Sequence, residues 1–228
     1  GALQVVSKSG AVLAGGHSSE GAELAFGLTV NGFIAPDRVL RKGGLQPGDA
    51  LILTKPVGTG TLFAADMRRQ AKGRWVEAAI QTMLLSNQAA AECLQDFGVS
   101  ACTDVTGFGL LGHLIEMTRS AGEDAEMTID DIPILAGAAE TVAAGILSSL
   151  QPQNLRLRRG VRDLERVSRH PLYPLLFDPQ TAGGLLAGVP SANAEACLAA
   201  LHEAGYANAA IIGRVSERSD APEPIELA

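Results

Sequence analysis

Cysteine is scarce in this 228-residue chain: Cys93, Cys102 and Cys197 are the three present. The count is odd, no CxxC occurs and no histidines gather at ligand spacing, which excludes a disulfide framework and a zinc site and points to the cytoplasm. Positive charge is also short, with 18 Lys and Arg against 25 Asp and Glu and a net charge of −7. Affinity for nucleic acid rests on cations that neutralise phosphates, so no nucleic-acid partner is expected. Long apolar runs are missing: none approaches the roughly 20 residues that span a bilayer, and the first residues lack a basic stretch leading into an apolar one, so neither membrane association nor export is expected. No segment repeats at a fixed period. Gly1 to Gly10 shows neither a helix cap nor a turn signature nor a sustained period, and the first apolar run starts at Ala11; the chain is expected to begin inside a domain.

What is present is core-forming material, 46% hydrophobic residues, enough for one large or two small domains. Ala11 to Gly15 and Glu23 to Ile34 read as strands, the second rich in β-branched and aromatic residues with partial alternation. Pro36-Asp37, Gly43-Gly44 and Pro47-Gly48 then supply turn chemistry. Residues 1–35 are therefore expected to be a strand remnant of an amino-terminal domain, and 36–228 a carboxy-terminal α/β domain. From Asp49 the grammar is strand, glycine turn, helix: DALILT, a loop over Lys55 to Gly60, and a helix to about Gln70. Trp75, Val76, Ala79, Ile80, Met83 and Leu84 form one stripe, which predicts a single long helix over 75–96. A strand at SACTD, a helix ending at Gly122, a strand over 125–129 and a helix over 135–144 follow. Residues 148–159 lack a period. Strand 184–189, helix 193–204 and strand 209–215 close the pattern. The class is α/β, with a mixed sheet in two layers covered by helices on one side.

Chemistry concentrates in three segments. Cys102 to Gly109 runs from a strand end through Gly107-Phe108-Gly109 into a helix. Free N–H groups at such a start, here at Thr106, Gly107 and Gly109, attract phosphate, and a carboxylate beside them, Asp104, can hold Mg²⁺ bridging phosphate oxygens. Equally, Asp104 caps the helix and the glycines make a tight turn. Gly15-Gly16-His17-Ser18 could present donors to a nucleotide, or be an ordinary turn capped by a serine. Phe177 to Gly184 leads into a buried strand; Asp178 could take metal or polar substrate, or stabilise the turn while the glycines admit close packing. A lone helical histidine such as His113 is more often structural than catalytic. Arg156, Arg158, Arg159 and Arg162 form either a phosphate-binding or a solvated basic face.

Taken in order, GGHSSE, LTKPVGTG, MLLSN, TDVTGFGLLGHLIEM, the Asn154 loop and LLFDPQTAGGLLAGV resemble selenophosphate synthetases (selenide, water dikinases) from about Ala11 to Val215. TDVTGFGLLGH together with FDPQTAGGLL is specific, whereas a lone GxG is not. The resemblance implies ATP-dependent formation of selenophosphate from selenide and water with release of AMP and phosphate, Mg²⁺ as cofactor, and a homodimer of two-domain subunits. It further implies an amino-terminal region bearing a reactive Cys or Sec, a Lys and Asp ligands for Mg²⁺, which this sequence does not contain, so the 228 residues alone are expected to be inactive. By the same match Asp104 is a metal ligand, and Gly15, Gly16, His17 and Ser18 lie in an ATP-contacting stretch lent across the dimer. The residues before Asn154 depart from the glycine-rich run that many members carry. Some members are fused behind a flavoprotein of the NADH dehydrogenase type. The alternatives are a thiamine-monophosphate kinase or hydrogenase-maturation enzyme of the same superfamily, or a non-catalytic nucleotide-sensing or dimerisation module.

Overall fold

A computed structural model describes residues 1–228. The chain divides into two compact units, Gly1–Val39 and Leu40–Ala228.

The first unit holds one helix, α1 (Ala2–Lys8), and a 3₁₀ turn at Pro36–Arg38. Neither expected strand forms: residues 11–34 lie outside any helix or strand and are exposed. The alternation is visible in Leu24, Phe26, Leu28 and Val30, at 101%, 75%, 55% and 84% exposure, but a strand persists only where a neighbour takes up its N–H and C=O groups, and nothing in the chain pairs with these residues. Conversely, α1 forms where no helix signal was read.

In the second unit β1 (Asp49–Leu53) leads through a glycine loop into α2 (Thr59–Met67), followed by α3 (Gly73–Leu84) and α4 (Gln88–Asp96). Next come β2 (Ala101–Asp104), α5 (Gly109–Ala121) and β3 (Asp124–Met127). Three short helices, α6 (Ala138–Ala143), α7 (Gln151–Asn154) and α8 (Leu164–Val167), precede β4 (Leu185–Pro190), α9 (Ser191–Glu203), β5 (Ala210–Ser216) and β6 (Ile225–Leu227). The six strands order as β2-β4-β1-β5-β3-β6. All pairings are antiparallel except β3 with β6, so the sheet is mixed, as expected.

Helices cover both faces of the sheet rather than the one expected. Leu51, Leu53, Leu186 and Ile212 pack with Leu110, Leu111, Leu114 and Met117 of α5. On the other face Ile52, Leu185, Ala187 and Val189 meet Ala90 and Leu94 of α4 and Cys197 and Leu201 of α9. Successive strand residues point to opposite faces, so the unbroken apolar run ALIL after Asp49 is what a strand buried on both sides requires. Each fully buried Leu contributes about 1.5–3 kcal/mol.

The long helix expected over 75–96 is two helices broken at Leu85-Ser86-Asn87. The break is made from outside. Lys55 Nζ donates to the Leu85 carbonyl (2.5 Å), the Tyr206 hydroxyl donates to that of Ser86 (2.5 Å), and Asn87 Nδ2 donates to that of Gly183 (2.9 Å). Carbonyls that a continuing helix would bond internally are thereby satisfied by distant side chains. At α5, by contrast, Gly122 adopts φ +78° and ends the helix where the sequence placed the stop.

Candidate functional site

Antiparallel pairing sets the carboxy-terminal ends of β1 and β2 beside the amino-terminal start of β4. The loops that leave or enter there, residues 54–60, 104–109 and 177–184, therefore converge at one end of the sheet. Backbone bonds stitch them together: Val105 N–H donates to the Gly184 carbonyl (2.8 Å) and Gln180 N–H to that of Thr106 (3.0 Å). Gly183 lies against the Val105 carbonyl and Gly184 against the backbone of Lys55, approaches that leave no room for a Cβ.

Asp104 ends β2 and is the exposed residue of that strand. After it, the loop is held from inside. Thr106 N–H donates to His113 Nε2 (3.0 Å), Gly109 N–H donates to the Thr106 carbonyl (3.0 Å), and Asn154 Nδ2 donates to the Gly107 carbonyl (2.8 Å). Two of the three expected phosphate donors, Thr106 and Gly109, thus have their N–H groups engaged within the protein. Gly107 is exposed with open space around its Cα. Asn154 is buried, and its second donor bond reaches the Phe177 carbonyl (3.0 Å). It is a clamp between two loops that are distant in sequence.

Asp178 is fully buried and directed inward, away from any solvent-borne metal. Its Oδ2 accepts from Gly60 N–H (3.0 Å) and Gln180 Nε2 (3.0 Å), while Oδ1 has no partner. Burial pushes the carboxyl up to about 7, with the Gln180 amide and the Gly60 and Thr61 N–H groups opposing that rise. Gln180 completes the knot: its Oε1 accepts from Gly58 N–H (3.0 Å), Thr59 N–H (3.2 Å) and Thr59 Oγ1 (3.1 Å). Together the two side chains satisfy the first N–H groups of α2, which consequently offers no anion site. Lys55 is likewise buried and pairs with carbonyls, those of Leu85 and Ala182 (3.2 Å), rather than a carboxylate; burial lowers its pKa.

Gly15, Gly16, His17 and Ser18 are exposed residues of the first unit, in a segment without helix or strand. Of the basic cluster, Arg162 binds the buried Asp124 carboxylate (2.5 Å) and the Glu223 carbonyl (2.9 Å), which ties down the chain end around β6. Arg156, Arg158 and Arg159 are exposed. Sequence reasoning missed Gln180, Lys55, Asn87 and the clamp role of His113. A buried amide between Asp178 and a glycine pair is the signal that could have pointed to Gln180.

A bound Mg²⁺ needs several oxygen ligands, and no group of three or more His, Cys, Asp or Glu side chains is placed to hold a metal ion. Asp104 has the right chemistry and exposure for one ligand of a set. No helix is long and apolar enough to cross a membrane.

Residues 46–221 match the family described as AIR synthase related protein, C-terminal domain. The chain is 42% identical over 226 residues to a selenide, water dikinase of Pelobacter propionicus, covering 99% of this chain and 64% of that protein. To selenide, water dikinase 2 of Peptoclostridium acidaminophilum it is 39% identical over 220 residues, 96% of this chain and 63% of the relative. It therefore spans somewhat under two thirds of the relatives it matches. Among solved structures, a hydrogenase maturation protein HypE in complex with ATP superposes with a TM-score of 0.58 at 21% identity, covering 86% of this chain and 52% of that one. A thiamine-monophosphate kinase from Stenotrophomonas maltophilia K279a gives 0.56 at 16%, covering 85% and 54%. These two likenesses concern the fold.

Proposed function

Since the chain belongs to the AIR synthase related family through its C-terminal domain, we propose that it is the carboxy-terminal part of a selenophosphate synthetase, an enzyme that makes selenophosphate, AMP and phosphate from ATP, selenide and water. The observation that carries the proposal is the near-complete match at 42% identity to a protein named selenide, water dikinase. The internal architecture supports it: TDVTGFGLLGH and FDPQTAGGLL, far apart in sequence, are locked together by Asn154, Gln180 and Gly183. A structure that requires both strings at once is a reason for both to occur in one chain.

In this reading Asp104 supplies one carboxylate to a Mg²⁺ whose other ligands come from the remainder of the protein. When bound, that ion would neutralise phosphate charge. The chain's own part is to hold Asp104 outward at a strand end and to present the exposed Gly107 beside it to phosphate oxygens. Gly15 to Ser18 would touch ATP within a homodimer, residues 1–35 belonging to an amino-terminal domain completed by residues outside this sequence. A natural fusion behind a flavoprotein is compatible with this division.

Phosphoryl transfer depends on several groups acting together, so the 228 residues alone are expected to release no AMP. Asp104→Asn in the complete enzyme should abolish Mg²⁺-dependent turnover with unchanged circular dichroism and melting, because Asn keeps the shape and removes the charge. Wild-type turnover in that variant would reduce Asp104 to a strand end. Micromolar binding of Mg·ATP by the 228 residues alone would favour a nucleotide-sensing module over a divided catalytic site.

A further inference from the structure

His113 is 5% exposed, near the amino-terminal end of α5, and the reaction outlined above leaves it unused. Its surroundings are specific. The backbone N–H of Thr106, which can only donate, points at Nε2 from 3.0 Å, and the Thr106 hydroxyl lies 3.3 Å from the same nitrogen. On the other side of the ring, Nδ1 lies 3.6 Å from Glu116 Oε2, and Glu116 in turn pairs with Lys42 Nζ at 3.2 Å. The Phe108 ring rests on the imidazole at a centroid distance of 5.7 Å. One side chain therefore touches two residues of the 104–109 loop.

We propose that His113 is a positioning residue, held as the neutral tautomer with its proton on Nδ1, whose Nε2 lone pair fixes the backbone of the loop that directly follows Asp104. A backbone donor needs an acceptor, so Nε2 must be bare. A neutral ring then carries its proton on Nδ1, which has no hydrogen-bond partner and faces the Glu116 carboxylate at 3.6 Å, close enough for electrostatic attraction but not for a hydrogen bond. Protonating the ring would set an Nε2–H against the Thr106 N–H and release the loop. Burial resists that change by lowering the ring's pKa, against the charges of Glu116 and Asp104, which favour protonation, and with that of Lys42, which does not.

The consequence concerns Asp104. One residue, Val105, separates it from Thr106, whose N–H is tied to His113 and whose carbonyl accepts from both Gly109 and Gln180. Removing the imidazole takes away the partner of the Thr106 N–H and the support beneath Phe108, so the loop gains freedom immediately after the strand end that holds the carboxylate. A partner bonded directly to a metal ligand changes affinity by about 10- to 100-fold when lost; His113 acts at one remove, through the backbone after Asp104, so the lower end of that range applies. Glutamine can partly replace it: its Oε1 can accept from Thr106, whereas alanine cannot.

The proposal rests on the functional reading only for the role of Asp104, and the test separates the two. Nitrogen-15 NMR of the 228-residue chain should show His113 with Nδ1 protonated and Nε2 bare, and hydrogen exchange should show the Thr106 amide protected. His113→Ala should lose that protection and His113→Gln should keep it. An Nε2-protonated tautomer in the wild type, or equal Thr106 protection in wild type and the alanine variant, overturns the proposal whatever the enzyme does; should the alanine variant fail to fold, the wild-type tautomer and the glutamine variant decide. In the complete protein, His113→Ala should raise the half-saturating Mg²⁺ concentration about tenfold and His113→Gln should recover most of it. Equal impairment of the two variants contradicts positioning. A wild-type protein that makes no AMP refutes the functional reading and leaves the NMR result to judge His113.

Discussion

Replacing Asp178 by Asn should change the pH dependence of stability more than stability itself. Asp178 Oδ2 takes two hydrogen bonds, from Gly60 N–H and Gln180 Nε2, and Oδ1 takes none. An asparagine oxygen placed at Oδ2 keeps both, and its NH2 takes the unpartnered position, so the substitution removes the ionisable proton, and whatever the unpaired NH2 costs is the same at every pH. In the folded chain the carboxyl keeps its proton up to about pH 7, whereas an unfolded aspartate releases it near about 3.9. The protonated group therefore contributes stability that is fully present below about pH 4 and is lost as pH rises through about 7. With 1.36 kcal/mol per pKa unit, the wild type should lose on the order of 2–3 kcal/mol between about pH 5 and pH 8 through this one residue. For a chain of this length that is roughly a 5–10 °C change in melting temperature. Melting curves of both proteins across that range, compared by difference, cancel the other titrating groups. The gap should widen in favour of Asp178→Asn as pH rises. Parallel curves would mean that the helix start and the Gln180 amide hold Asp178 ionised, and the reasoning from burial would fail.

Gln180→Ala strands two buried N–H groups at the start of α2 and one donor bond to Asp178; chemical denaturation should show a loss of about 2–4 kcal/mol, and a loss under about 0.5 kcal/mol would mean that water replaces the amide. At Gly109, φ is +71° and an added Cβ would lie 2.8 Å from the Phe177 carbonyl carbon and 3.0 Å from the Leu176 oxygen; Gly109→Ala should yield insoluble or unfolded protein, which soluble expression with a normal melt would refute. The exposed apolar residues Leu24, Phe26, Leu28, Val30 and Phe33 should make the 228-residue chain self-associate with rising concentration, and a strictly monomeric sedimentation profile counts against that.

Elements with a local signal were legible. The strand at Asp49–Leu53 could be read from the apolar residues that follow Asp49, and the end of α5 from Gly122. Where the cause was tertiary, the sequence was silent or misleading. The stripe from Trp75 to Leu84 led to one helix being expected as far as Asp96, yet bonds to Lys55, Tyr206 and Gly183 break it after Leu84. β6 is three residues long and pairs in parallel with β3 across a long stretch of chain, so no local pattern announces it. Residues 23–30 show the opposite case, since alternation is present and the pairing that would express it is not. In the site, spacing sufficed to single out Asp104 and the glycines beside it. It could not show that the Thr106 and Gly109 N–H groups are already bonded, because those bonds depend on a histidine seven residues on and on a loop carbonyl. Nor could it distinguish the exposed Asp104 from the buried Asp178, since a strand-end or loop aspartate looks the same in either setting until the packing around it is known.

The proposed activity meets its most direct test in a single product analysis. The complete protein, given ATP, Mg²⁺ and selenide, should release AMP and orthophosphate in equal amounts, with selenophosphate as the third product in the phosphorus-31 spectrum and no AMP when selenide is omitted. ADP as the sole adenine product, or AMP formed at the same rate without selenide, would contradict it.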